Sequence, residues 1–343
     1  MARDSVKRTT GRLNAPSADW RERALAGGSH DAWFADAPCL HEIRVDGPFE
    51  AGRKPHRVLA WNAERLKHPD PSIDLLAPLA ADVLLVTEVD VGMARSGNRD
   101  TIAELAQALG MGHAFGVEFI ELGLGDARER EWHAGESNRH GLHGAGILSR
   151  CPLEDVTLLR LDHDGSWYAG ERNGERRIGG RMAVIARIGG IVMASVHLES
   201  HSDPAHRAQQ MRLVFEAVDE LSGGGPAIVG GDLNSKSAAR DDWLDDDIRE
   251  RLLAEDPSRR MNPLLHEPMF EAAASFGYDI GHCNDGAASE RLRPGDPLRE
   301  LGRIDWFMTR GVDVGQARTI PAVDAAGIAV SDHEILSITL RTD

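Results

Sequence analysis

The segment PAIVGGDLNSK, residues 226–236, runs from a short apolar stretch into two glycines, then sets an aspartate and an asparagine two positions apart. Ala227, Ile228 and Val229 read as a buried strand. Glycine, aspartate and asparagine are turn formers, so a loop after that strand explains part of the pattern. Strand geometry supplies the rest. Side chains alternate with a period of two, so Asp232 and Asn234 are expected to point the same way, into one pocket. Glycines 230 and 231 are expected to let the backbone bend and approach a ligand closely.

Other apolar runs close in the same manner. RVLAWNAE (57–64) carries Asn62, DVLLVTEVD (82–90) carries Glu88, and IVMASVHLES (191–200) carries His197. Asp305 sits inside RIDWFMTRG (303–311), and Asp332 and His333 precede EILSITL (334–340). Polar groups in apolar runs are costly unless they satisfy one another or a metal, so these side chains are expected to meet at one edge of the sheets. Asn62, Glu88 and Asp332 offer oxygen ligands, which suit Mg²⁺ or Mn²⁺ better than zinc. Asp305 is placed to pair with His333 and favour its charged form. Carboxylates, amides, imidazoles and a hard cation together suit attack of water on a phosphate ester.

Strands 180–188 and 191–200 flank Gly189–Gly190 and read as a tight hairpin. DTIAELAQALGM (100–111) puts Ile102, Leu105, Ala106 and Leu109 on one helical face, and the helix after Pro204 turns Met211, Val214, Val218 and Leu221 inward. Hairpins mixed with helix-separated strands indicate an α/β or α+β domain with two sheets faced by helices. Residues 1–54 lack sustained periodicity and read as an N-terminal extension that wraps the domain or stays partly unordered, ahead of a domain spanning 55–343. Walker A, GxGxxG and HExxH patterns are absent, so the nucleotide-fold and zincin readings lose their usual support.

The 343 residues include 39 basic and 55 acidic ones, a net charge of −16 that should repel polyanions unless local patches overcome it. This disfavours a nucleic-acid partner without excluding a nuclease. Part of the excess lies in RDDWLDDDIRERLLAED (240–256), eight acids against three arginines, read as a solvated helical insert. No apolar run approaches the ~18 residues of a membrane span, and the first twenty residues lack the apolar core of a secretory signal. Three scattered cysteines, 39, 151 and 283, fit a reducing, cytoplasmic setting.

Taken in order, WNAE, TEVD, GAGILSR, SVHLES, GGDLNS, RIDWF and SDHEILSITL give the chain its likeness. From about residue 56 to 341 it resembles the endonuclease/exonuclease/phosphatase (DNase I-like) superfamily. The resemblance implies a four-layer sandwich, two packed mixed β-sheets flanked by helices, and Mg²⁺-dependent hydrolysis of phosphoesters. It implies Glu88 as principal metal ligand with Asn62 and Asp332 beside it. Asp232 would orient or deprotonate the attacking water, Asn234 would hold a phosphoryl oxygen, and His333, partnered by Asp305, would contact phosphate. His197 matches a position that stabilises the transition state in some branches, in preference to a three-histidine site with His201 and His206. Two loops, DVGMARSGNRD (90–100) and ESNRHGLHGAG (136–146), depart from known signatures. Their Arg95, Asn98 and His143 are expected to line the pocket and contact substrate. The function expected is a metal-dependent phosphodiesterase or phosphatase on a small or lipid-derived phosphoester. A nuclease using the same residues is the alternative, and a binding module without catalysis the third reading.

Overall fold

The computed structural model describes residues 7–341 except 171, 173 and 294–299. In chain order the strands are β1 (Lys7–Thr9), β2 (Glu42–Asp46), β3 (Arg57–Arg65), β4 (Val83–Val91), β5 (Gly112–Glu121), β6 (Leu142–Ser149) and β7 (Glu154–Arg160). They continue with β8 (Arg177–Gly179), β9 (Met182–Ile188), β10 (Ile191–His197), β11 (Ala227–Asp232), β12 (Asp305–Arg310), β13 (Val314–Ile320) and β14 (Ile335–Leu340). The helices are α1 (Ala18–Ala26), α2 (His30–Ala35), α3 (Pro69–Leu76), α4 (Thr101–Leu109), α5 (Ala127–Trp132), α6 (Pro204–Ser222), α7 (Arg240–Leu244), α8 (Asp246–Glu255) and α9 (Pro268–Ser275).

Among the described residues, one sheet runs β1-β2-β5-β6-β4-β3-β14-β13 with β8 also on β5, and the other runs β12-β11-β10-β9-β7. Both are mixed. β3 and β4 are parallel, as are β10 and β11, while most other neighbours are antiparallel. The β9–β10 hairpin forms where expected, with Gly189 at φ 58° and Gly190 at φ 88°, the left-handed pair that a two-residue turn requires.

Alternation along each strand builds the layers. On β3, Val58 and Ala60 face the space between the sheets and Leu59 and Trp61 face outward. The inner layer joins Val58, Leu85, Ile147 and Ile338 to Val184, Met193, Ile228 and Phe307 of the other sheet. Outside the larger sheet, Ile102 and Leu105 of α4 pack on Leu84, Val86 and Phe115. Outside the smaller, Met211, Val214 and Phe215 of α6 and Met269 of α9 pack on Ile185, Ala194 and Val229. The result is helix, sheet, sheet, helix, the four-layer sandwich expected, with Leu221 of α6 only partly buried.

β1, β2, β5, β8 and β13 of the larger sheet, and β7 of the smaller, lie outside the strands read from the sequence. β5 is buried along its whole length, yet Glu118 and Glu121 interrupt its apolar pattern. They are tolerated because Arg181 and Arg177 neutralise them at 2.5 and 2.9 Å. β2 pairs with β5, and Trp20, Ala24 and Leu40 enter the outer core. The segment before residue 54 thus adds an edge to the sheet, with Arg44 bound to Asp100 at 2.6 Å. No helix among the described residues is long and apolar enough to cross a membrane.

Candidate active site

Parallel pairing brings strand ends to one rim. Asn62 and Glu88 stand near the ends of β3 and β4, and His197 and Asp232 are register partners at the ends of β10 and β11. Asp305 begins β12 directly opposite Asp232. Register shifts between Asn62 and Arg65, and between Val86 and Val89, break the alternation on both β3 and β4 at this rim. Glu88 takes a left-handed φ of 51° and Arg65 one of 66°, which re-aims both side chains out of the pleat.

The rim opens into a cleft of about 1050 Å³. Glu88, His143, His197, Asp232, Asn234, Asp332 and His333 line it. Asp232 is the centre of contacts. Its Oδ2 accepts from Asn62 Nδ2 at 3.0 Å and lies 3.5 Å from His197 Nε2 and 3.8 Å from His333 Nε2. Its Oδ1 accepts the Asn234 backbone N–H at 2.9 Å. Asn62 also donates to Glu88 Oε1 at 3.2 Å, and His197 Nε2 stands 4.0 Å from the same oxygen. Asp305 Oδ2 pairs with His333 Nδ1 at 2.8 Å, as expected from the sequence.

Asp232 and Asn234 do share the pocket, but by a different route. Asn234 lies beyond the strand with φ 47°, turned inward by its own bond to Asp232, and its Nδ2 donates to the Leu198 carbonyl at 3.0 Å. The two glycines make room for protein rather than ligand. A Cβ on Gly230 would meet the Phe307 ring at 2.8 Å, and one on Gly231, at φ 143°, would lie 2.0 Å from the Val196 carbonyl oxygen.

The electrostatics divide the groups into two sets. Burial works against the Glu88 carboxylate, yet Arg65, His197, His143 and His333 keep it well below its usual range. Burial also opposes charge on His333, but Asp305 and Asp232 outweigh it and hold the imidazole well above its usual range. Asp305 is pushed up to about 6, by burial first, with the His333 charge opposing. Asp332 is raised by burial, with Glu64 and Glu88 repelling it and His333 and Arg293 countering.

These groups fit a divalent cation. Glu88 and Asp332 bring two carboxylates to the cleft, hard oxygen donors of the kind Mg²⁺ or Mn²⁺ takes. The Asn62 amide instead presents its Nδ2 to Glu88 and Asp232 and its oxygen to the Glu64 N–H, so it would have to rotate to become a ligand. Asp232, Asp305 and His333 also present ligand atoms within 4.8 Å of one another, and Asp305 Oδ1 is buried without a hydrogen-bond partner. A protonated imidazole has no lone pair for a metal, so the elevated His333 suits phosphate contact better than metal binding.

The three substrate-contact expectations fare differently. Arg95 does not reach the cleft. Its side chain is fully buried and binds Asp90 at 2.8 Å, Glu121 at 3.1 Å and Glu129 at 3.2 Å. A guanidinium among three carboxylates is held inside, and the density of polar residues in that loop reflects this knot. Asn98 ties loops together, accepting from Arg139 N at 2.8 Å and donating to the Ser137 carbonyl at 3.0 Å. His143 does line the cleft, with Nδ1 held by Asp90 at 2.8 Å.

The cleft also holds residues the sequence reading did not select. Arg65 lies 3.6 Å from Glu88. Arg181 reaches Glu118, Glu199 and both ring nitrogens of His197, the nearer at 2.9 Å. Trp167 donates to Glu199 at 2.9 Å. Arg293 bridges Glu64 and Asp332. The acidic insert forms α7 and α8, neither with a buried residue, but its Arg240, Trp243, Leu244, Arg249 and Leu253 face the cleft. Among the described lining residues, nine are Lys or Arg and seven Asp or Glu, so the cleft is locally basic in a strongly acidic chain. Only Lys236, two residues past Asn234, carried a signal in the motif itself.

A family model described as "Endonuclease/Exonuclease/phosphatase family" matches residues 59–333. Comparison with curated proteins finds no similar sequence. Among solved structures, an endonuclease/exonuclease/phosphatase from Beutenbergia cavernae is similar with TM-score 0.55 and 19% identity, over 84% of this chain and 72% of that one. The 3′ phosphatase NExo from Neisseria, bound to product DNA hairpin, aligns with TM-score 0.54 and 16% identity, over 84% of this chain and all of the other. The NExo 3′-5′ exonuclease from Neisseria meningitidis gives 0.53 and 16%, over 83% and 100%. At these identities the likeness concerns the fold.

Proposed function

Because the chain belongs to the endonuclease/exonuclease/phosphatase family, whose members are generally hydrolases of phosphoesters, we propose that its cleft hydrolyses a small or lipid-derived phosphoester by in-line attack of water. The observation that carries the reading is the convergence on Asp232, where an amide, two imidazoles and a backbone N–H from separate strands and loops surround one carboxylate. Asp232 orients the attacking water and takes its proton. His333, kept charged by Asp305, meets a non-bridging oxygen and neutralises charge developing there. Asn234 keeps one amide N–H beyond its bond to Leu198 and turns it to a phosphoryl oxygen. His197 stands beside both Asp232 and Glu88 and shares the stabilisation of the transition state. Asn62, Glu88 and Asp332 would hold Mg²⁺ or Mn²⁺, which supplies Lewis-acid charge at the phosphoryl group.

The basic lining of the cleft favours a second reading, a nuclease. Net charge alone argued against polyanions, and this local patch weakens that argument. One panel separates the two: sugar phosphates, nucleotides, phospholipid headgroups and oligonucleotides, each with Mg²⁺, Mn²⁺ or excess chelator. Turnover is expected on a compact phosphoester, stopped by chelator and reduced at least ~100-fold in Asp232→Asn with the fold retained. Wild-type activity in Asp232→Asn, or full activity in chelator, overturns the assignment. Turnover of oligonucleotides alone selects the nuclease.

A further inference from the structure

The cations lining the cleft are mostly spent on carboxylates. Arg65, Arg177, Arg181, Arg249, Arg260 and Arg293 each have an acid within ion-pair distance. Lys236 and Arg240 do not: neither has a carboxylate within that distance among the described residues, and both line the cleft. Their charges are also partly stripped of water. Burial pulls Lys236 down to about 8 even though Asp232 and Glu290 favour its charge, and burial lowers Arg240.

The backbone that carries them is firmly held. The Lys236 carbonyl accepts from Trp243 Nε1 at 2.7 Å, and the Trp243 ring lies under the Arg260 guanidinium at 4.9 Å. Ser237 N donates to Glu267 at 2.8 Å, and Glu267 is locked to the buried Arg207 at 2.5 Å. Lys236 on this held backbone and Arg240 just beyond it are partly desolvated and feel Asp232, Glu290, Asp241, Glu175 and Glu199 only from beyond ion-pair distance. An anion bound between them would therefore repay more of their burial cost. The scissile phosphate already has Asn234, His197 and His333.

We infer that Lys236 and Arg240 form a second anion subsite, so that the substrate is a compact molecule carrying a second phosphate-like group beside the one that reacts. This rests on the phosphoesterase reading above. A polymer would supply the same chemistry through a neighbouring phosphate, but the −16 net charge of the chain repels a long polyanion outside the cleft, which favours the compact source.

Binding tests this without turnover. Titration calorimetry of the full chain compares glucose 1,6-bisphosphate, glucose 6-phosphate and a short oligothymidylate, in the wild type, Lys236→Met/Arg240→Met and Lys236→Arg/Arg240→Lys. A charge-assisted contact is worth ~10–100-fold, so the wild type should prefer bisphosphate to monophosphate by at least ~10-fold. The ratio should fall towards one in the methionine pair, with unfolding temperature retained, and survive in the charge-conserving pair. Equal wild-type affinities for the two sugars overturn the subsite. So does a loss in the methionine pair that is as large for the monophosphate, which would put both residues on the scissile group. An effect confined to the oligothymidylate overturns the compact source. If the hydrolytic reading fails instead, no phosphoester turns over while the bisphosphate preference remains.

Discussion

Replacing Arg95 with methionine keeps the aliphatic bulk and deletes the charge. In the fold that guanidinium meets Asp90, Glu121 and Glu129 at 2.8, 3.1 and 3.2 Å, with side chains that are all but sealed from solvent. Each acid retains other partners: His143 and Ser96 for Asp90, Arg177 for Glu121, and Arg65, Lys67 and the Asp126 N–H for Glu129. The variant is therefore left with excess buried negative charge rather than three orphaned carboxylates. Breaking a buried pair from one side costs about 3–5 kcal/mol, a large share of the ~5–15 kcal/mol that holds a domain together. With an unfolding entropy of ~2.1 cal/mol/K per residue over 343 residues, the midpoint should fall by about 4–7 °C. Urea unfolding followed by circular dichroism measures the loss, and KM on a phosphoester identified by the panel measures contact with substrate. Unchanged stability with a raised KM would refute the knot and restore Arg95 to the pocket.

Gly231→Ala should cost at least ~3 kcal/mol or leave insoluble protein, because its Cβ would strike the Val196 carbonyl oxygen at 2.0 Å; Gly223→Ala, also at positive φ but in open space, should cost only ~1–2 kcal/mol, and equal losses in urea unfolding would refute the close approach. His113 is held down to about 4, by burial first and then by the Arg44 charge, against an ordinary 6.5. Its contribution is complete above pH 6.5 and is lost as pH falls through about 4, an acid loss of about 3 kcal/mol. His113→Gln should flatten that limb of a stability–pH curve, and an unchanged limb would refute the burial argument. The bisphosphate preference should decline as pH rises through about 8, where Lys236 loses its proton among Asp232, Glu290, Arg240 and Arg207; a preference constant to pH 9.5 would remove Lys236 from the subsite.

The layered fold was legible wherever strands are near-continuous apolar runs buried on both faces, as on β3 and β9, and wherever a helix keeps one apolar face, as on α4. It was illegible at β5, because Glu118 and Glu121 read as surface residues until Arg181 and Arg177, from elsewhere in the chain, are seen to neutralise them. The groups gathered around Asp232 were readable because each stands at the end or the start of an apolar run in its own part of the chain. Arg95 misled for the opposite reason: a polar loop beside a motif strand looks the same whether its cation faces a substrate or three internal acids. Arg240 stands out by having no carboxylate at ion-pair distance among the described residues, as Lys236 does beyond its place in the motif, and an absent partner is visible only in three dimensions.

The extra residues on β3 and β4 fall just where those strands reach the cleft. Below them the two-residue pitch is undisturbed and the apolar layers interlock; above them the backbone is free of that pitch. Chemistry and scaffold are thus mechanically uncoupled, and the working end of the molecule can be recut for a new leaving group without reopening the interior that keeps it folded.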